Sequence, residues 1–164
     1  MAGRNARTVV VGIGNLDRGD DAAGRLAVRR LRTMLPPGTL ACEQDGEVTS
    51  LLAAIESAAS AYLIDACVSG APAGTVRRLD VAASPLPLDT LSLSSHGLGL
   101  AEAVELARAL GLLPPCCIVY AIEASSVEPG GGVSPEVSAA VAETAERIRR
   151  ELSDESLAGG RTDA

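Results

Sequence analysis

The chain contains no lysine, no tryptophan and no phenylalanine, and its 14 basic residues are all arginine. Without lysine there is no P-loop phosphate clamp, no Schiff-base chemistry and no Ser–Lys dyad. Tyr62 and Tyr120 are the only aromatics. The core must therefore be aliphatic, and no platform exists for stacking single-stranded bases. A formal charge of −7 further argues against a nucleic-acid partner, which needs a basic surface. No apolar run reaches the roughly 20 residues that span a bilayer, so no membrane association is expected. The four cysteines, Cys42, Cys67, Cys116 and Cys117, show no C-x-x-C spacing, and no signal peptide is legible. Reduced, buried thiols in a cytoplasmic protein are expected.

What is present is ordinary for a globular protein: 47% hydrophobic and 21% charged residues over 164 positions. That length suits one domain with a substantial core. Residues 8–14 form a continuous β-branched and Gly run, the mark of a strand covered on both faces. A helix is expected from Asp20 and Asp21 to residue 35, with Arg25, Arg29 and Arg32 facing water and Pro36, Pro37 and Gly38 ending it. Further strands are expected over 40–44, 61–66 and 116–122, with 74–81 as an edge strand. Further helices are expected over 48–58, 97–111 and 135–152, the last with Ser134 as N-cap and Pro135 at its first position. Strands alternating with helices at this spacing predict an α/β three-layer sandwich. It would have a mainly parallel central sheet of about five strands and helices on both faces. The domain would cover residues 1–152, and the polar residues 153–164 would form a disordered tail.

The stretch VVVGIGNLDRGDDAAG, residues 9–24, opens like a nucleotide-binding loop and then departs from it. After Gly12-x-Gly14, a third glycine is expected at position 17, where Asp17 stands. Asp20 and Asp21 follow at a helix N-terminus, whose partial positive charge would otherwise attract phosphate. Carboxylates there suit a cation. In open α/β sheets, ligands bind beyond the carboxyl ends of the strands. Acids fall at three such ends: Asp17, Asp20 and Asp21 after the first strand, Asp45 after the second, Asp65 closing the third. His96 stands at the turn into a helix. Two carboxylates and an imidazole suit a divalent first-row metal such as zinc, nickel, iron or manganese. Each residue alone also has a structural reading: Asp20 or Asp21 complements a helix dipole, Asp17, Asp45 and Asp65 serve turns, and His96 hydrogen-bonds near a helix start. The metal reading rests on their convergence at one sheet edge. No G-x-S-x-G elbow accompanies Ser94, Ser95 and His96, and Cys67 is a weak alternative nucleophile.

Taken in order, Gly12-Ile13-Gly14-Asn15, Asp20-Asp21-Ala22-Ala23-Gly24, Asp45-Gly46, Leu63-Ile64-Asp65-Ala66, Ser95-His96-Gly97, Ile122-Glu123 and Gly132-Val133-Ser134-Pro135 resemble the hydrogenase maturation endopeptidases. These enzymes process the large subunit of nickel-iron hydrogenases. The resemblance covers residues 8–152. It implies a metal-binding triad of Asp21, Asp65 and His96. Beside it, Asp20 is read as serving the helix start and Asp45 as a candidate for a positioning or base role. It implies an endopeptidase that removes the C-terminal extension of a nickel-loaded large-subunit precursor. The nickel would arrive with the substrate and serve as the recognition element, and zinc or cadmium could take its place. The same ligands would also serve a non-catalytic chaperone of the large subunit, or a zinc hydrolase of small substrates. A monomer is the simplest expectation. The chain departs from the family's pattern after Asp45-Gly46, where Glu47-Val48-Thr49 replaces a Gly-Thr turn, and at Ala22-Ala23, where many relatives carry Gly-Val.

Overall fold

The computed structural model describes residues 7–87 and 99–159. Strand β1 (Thr8–Ile13) leads through a single 3₁₀ turn (Gly19–Ala22) into helix α1 (Ala23–Leu31) and back to β2 (Thr39–Gln44). Helix α2 (Val48–Ile55) and strand β3 (Ser60–Cys67) follow, then β4 (Val76–Asp80), α3 (Leu100–Ala109), β5 (Cys116–Glu123) and α4 (Pro135–Gly159). Among the described residues the five strands make one sheet in the order β2-β1-β3-β5-β4. β1 runs parallel to β2 and β3, and β3 parallel to β5, while β4 closes one edge antiparallel to β5.

Alternating strand residues feed two separate cores, because successive side chains point to opposite faces. Val9, Val11, Ile13, Leu63, Val119 and Ala121 pack with Leu51 and Ile55 of α2 and with Leu100, Val104 and Ala107 of α3. Val10, Tyr62, Ile64, Ile118, Tyr120 and Ile122 pack on the other face with Val28 and Leu31 of α1 and with Val137, Val141 and Ile148 of α4. The expected three-layer α/β sandwich is therefore present. It is mainly parallel, with the edge strand that the charged sequence of β4 announced.

The differences from the sequence reading have physical causes. α1 starts as a 3₁₀ turn and ends at Leu31, short of residue 35, because Met34 N–H folds back onto the Leu31 carbonyl at 2.8 Å. Arg25, Arg29 and Arg32 do not simply face water: all three converge on the Glu43 carboxylate at 3.1, 2.9 and 3.1 Å. Burial pushes the Glu43 carboxyl up, but the hydrogen bonds from Arg25 and Arg29 and their charges outweigh it and hold it below the usual range. The expected disordered tail is corrected over residues 153–159, where α4 continues to Gly159. The two tyrosines anchor this last stretch from the sheet: Tyr62 OH donates to Glu155 at 2.9 Å, and Tyr120 OH donates to Glu151. Arg78 of β4 completes the clamp on Glu151 with bonds of 2.8 and 3.1 Å. Residues 160–164 lie outside the described residues. No helix among the described residues is long and apolar enough to cross a membrane.

Candidate active site

The strand order itself locates a crevice. From β1 the chain moves outward to β2 and then returns to place β3 on the opposite side of β1. Connections that leave in opposite directions open a gap beyond the strand ends at this switch point. The gap lies between the carboxyl ends of β1 and β3, which carry the 3₁₀ turn with Asp21 and the strand residue Asp65.

Glycines make the local geometry possible. A Cβ on Gly24 would stand 2.2 Å from the Ile64 carbonyl oxygen and 2.4 Å from that of Ile13. The first turn of α1 therefore sits directly on the two strand ends at the switch point. A Cβ on Gly14 would stand 1.9 Å from the Asp21 carbonyl oxygen, so the 3₁₀ turn folds back tightly over the end of β1. These close approaches bring Asp21 beside Asp65 although the two are distant in sequence.

The electrostatics record that proximity. The Asp65 carboxyl is pushed well above the ordinary aspartate range, first by burial and then by the charge of Asp21, against a single hydrogen bond of 2.8 Å from the Ala66 N–H. Among the described residues Asp21 accepts one hydrogen bond, from the Asn15 N–H at 3.0 Å. Two carboxylates that sense each other's charge and accept so few hydrogen bonds keep lone pairs free, and oxygen donors of this kind suit a hard or borderline divalent cation. Among the described residues no group of three or more His, Cys, Asp or Glu side chains forms a metal cluster. His96, with Ser94 and Ser95, lies outside the described residues.

Asp20 corrects the sequence reading. It does not serve the start of α1. Its carboxylate is 1% exposed and accepts four hydrogen bonds from the segment joining β5 to α4, detailed below. Ser134 precedes Pro135 at the start of α4 as expected, and its hydroxyl donates to Asp20 at 2.9 Å. Asp17 is exposed and its N–H donates to the Asn15 side chain at 2.9 Å. Asp45 is exposed at the end of β2, where its Oδ1 accepts the Glu47 N–H at 3.1 Å. It lines a cleft of about 280 Å³ with Asn15, Gly46 and Glu47. Among the described residues no hydrogen bond joins Asp45 to Asp21 or Asp65. The departure at Glu47 has a local function: its carboxylate accepts the Thr49 and Ser50 N–H groups at 3.0 and 2.9 Å and caps α2.

Glu123 is the acid whose role the sequence reading missed. It closes β5, whereas Asp65 stands inside β3, which runs on to Cys67 rather than closing on Asp65 as expected; an acid late in an apolar strand was the available signal. It is 2% exposed and accepts Ser69 N–H at 2.8 Å, Ser69 Oγ–H at 2.7 Å, Gly70 N–H at 3.1 Å and the Cys67 thiol at 3.3 Å. Burial works against its charge, and these donors together still hold its carboxyl below the usual glutamate range. The Cys67 thiol is pushed up to about 12 by burial, by its bond to Glu123 and by that residue's charge, which removes it as a nucleophile at neutral pH. Glu123→Gln should destabilise the fold by about 2 kcal/mol, since a buried charged acceptor is replaced by an amide that presents N–H to N–H. Denaturant unfolding checks this; an unchanged midpoint would show that the turn at 69–70 stands without the carboxylate.

The family model of hydrogenase maturation proteases matches residues 46–151. The chain belongs to this family. It is similar to the hydrogenase expression/formation protein HoxM of Cupriavidus necator, with 27% identity over 139 residues, covering 84% of this chain and 69% of that protein. Among solved structures, the hydrogenase maturating endopeptidase HybD from E. coli superposes with a TM-score of 0.73 at 27% identity, over 91% of this chain and 93% of that one. The [NiFe] hydrogenase maturation protease HycI from Thermococcus kodakarensis gives a TM-score of 0.69 at 25% identity, over 90% and 93% of the two chains. The chain is thus a hydrogenase maturation protease, a hydrolase of peptide bonds, on the α/β sandwich of its relatives.

Proposed function

We propose that this protease removes the C-terminal extension of a nickel-loaded [NiFe] hydrogenase large-subunit precursor, and that Asp21, Asp65 and His96 meet the nickel carried by that substrate. The carrying observation is the Asp21–Asp65 pair at the switch point of the sheet, in a chain of the maturation protease family. Its donor set fits the ion: two adjacent carboxylates with unsatisfied lone pairs, one of which is destabilised by the other until a cation arrives. Substrate-borne nickel would act as template and Lewis acid for the scissile peptide bond. The protein's own part is to present the two half-buried carboxylates beside the carboxyl end of the sheet. Asp45, which lines a cleft with Asn15, would position the peptide or act as a base.

Incubating the full chain with nickel-loaded precursor, followed by intact mass measurement, should show loss of the extension, with metal-free precursor left whole. An intact nickel-loaded precursor beside a cleaving control protease would overturn the reading. A stable complex without shortening would instead assign the chain a chaperone's role.

A further inference from the structure

Asp20 and Asp21 are neighbours with opposite surroundings. Asp20 Oδ2 accepts Ser125 N–H at 2.8 Å, Ser126 N–H at 3.2 Å and Ser134 Oγ–H at 2.9 Å, and Oδ1 accepts Ser134 N–H at 2.7 Å. The backbone continues the attachment: Asp20 N–H reaches the Ser126 carbonyl at 2.9 Å, and Gly130 N–H reaches that of Asp17 at 2.8 Å. A Cβ on Gly19 would stand 2.7 Å from the Ser126 carbonyl oxygen, so the two segments are in direct backbone contact. Asp21, by contrast, accepts one bond among the described residues, from Asn15 N–H at 3.0 Å.

We infer that Asp20 is a positioning residue for the Asp21–Asp65 pair, acting as a latch between the 3₁₀ turn and the 125–134 segment. The inference rests on the site role proposed above for Asp21 and Asp65. Two like charges near the carboxyl end of the sheet repel, and a four-residue turn left free would relax by swinging the half-buried Asp21 further into water. A single bond from Asn15 is a weak restraint against that. The four bonds to Asp20, at the next position, hold the turn from the opposite side. They also complete the hydrogen bonding of Asp20, so that of two adjacent acids only Asp21 keeps lone pairs for a ligand. The negative charge of Asp20 lies at the N-terminus of α4, where the helix dipole favours it.

The test uses Asp20→Asn, which keeps the shape but turns an amide N–H toward its former donors, and Ser134→Ala, which removes one donor and leaves the fold easier to keep. Native-state hydrogen exchange on the metal-free chain reads the latch at the Asn15 amide, whose bond to Asp21 reports the turn, against the Val10 and Leu63 amides of the core. In Asp20→Asn, Asn15 exchange should accelerate roughly tenfold or more beyond any change at Val10 and Leu63, with a smaller acceleration in Ser134→Ala. On nickel-loaded precursor, kcat should fall about 10- to 100-fold, the range seen when groups that orient metal ligands are removed, with KM little changed. If Asn15 is unchanged, or moves only by the factor seen at Val10 and Leu63, Asp20 is merely structural and the inference falls. A wild-type chain that fails to cleave would sink the proposed function while leaving the exchange result readable.

Discussion

Asp65→Asn is expected to abolish precursor cleavage and, at neutral pH, to raise the melting temperature of the metal-free protein. The two effects share one cause. Asp65 sits where burial and the Asp21 charge both oppose its ionisation, so ionising Asp65 weakens the folded state. Asparagine keeps the volume and still accepts the Ala66 N–H, but removes a charge that faces another charge. The sign follows from linkage. A carboxyl whose folded pKa lies above its unfolded one favours the folded state fully below the ordinary aspartate range, and that contribution is lost as pH rises toward the folded value. The melting temperatures of wild type and Asp65→Asn should therefore coincide in acid and separate with rising pH, the variant becoming the more stable. Cleavage should drop by more than the roughly hundredfold seen when only an outer partner of a metal ligand is removed. Thermal melts from acid to neutral pH, beside mass measurement of the precursor, check both. Equal melting temperatures at neutral pH would mean that Asp65 is solvated; full cleavage would remove it from the site. Asp21→Asn should also stop cleavage, and its stability gain should appear through relief of Asp65.

The sequence exposed those parts of the fold that depend on local pattern. β1, β3 and β5 are covered on both faces, so their apolar runs stand out, and Asp65 was legible as an acid late in one of them, though the strand runs on to Cys67. α4 was legible up to Leu152. Its last turns were not, because the side chains that hold them, Glu151 and Glu155, are surface-like residues made structural by Tyr62 and Tyr120 from the sheet. The arginines of α1 have the spacing of a solvated face. Only the parallel pairing of β2 beside β1 reveals that Glu43 lies beneath them. The division of labour between Asp20 and Asp21 was the least legible feature. Their sequence contexts are nearly identical, and what separates them is a set of donors 105 to 114 positions away. Chemistry carried by a residue type at a strand end can be read directly; chemistry fixed by a long-range partner requires the fold.

Gly24→Ala should cost about 3 kcal/mol, at the upper end of what overpacking a tight contact costs, although the same change on an exposed helix surface would stabilise by up to about 1 kcal/mol. The difference lies in what the methyl group would meet. Its neighbours are the Ile64 and Ile13 carbonyl oxygens at 2.2 and 2.4 Å and the Ile13 nitrogen at 2.8 Å. All are backbone atoms of the central strands and cannot rotate aside. Relief requires α1 to lift from the sheet, which opens the Val28 and Leu31 packing against Val10 and Ile64. The same movement carries the 3₁₀ turn, and with it Asp21, away from Asp65. For a chain of this size the melting temperature should fall by roughly 6–12 °C. Cleavage measured well below the new melting temperature should also fall, because the turn that carries Asp21 has lifted from the strand that carries Asp65. Gly24→Ser should behave at least as badly, since a larger side chain meets the same walls. A melting temperature within a degree of wild type would show that helix and sheet have room to separate, and that the close approach is not what sets the site.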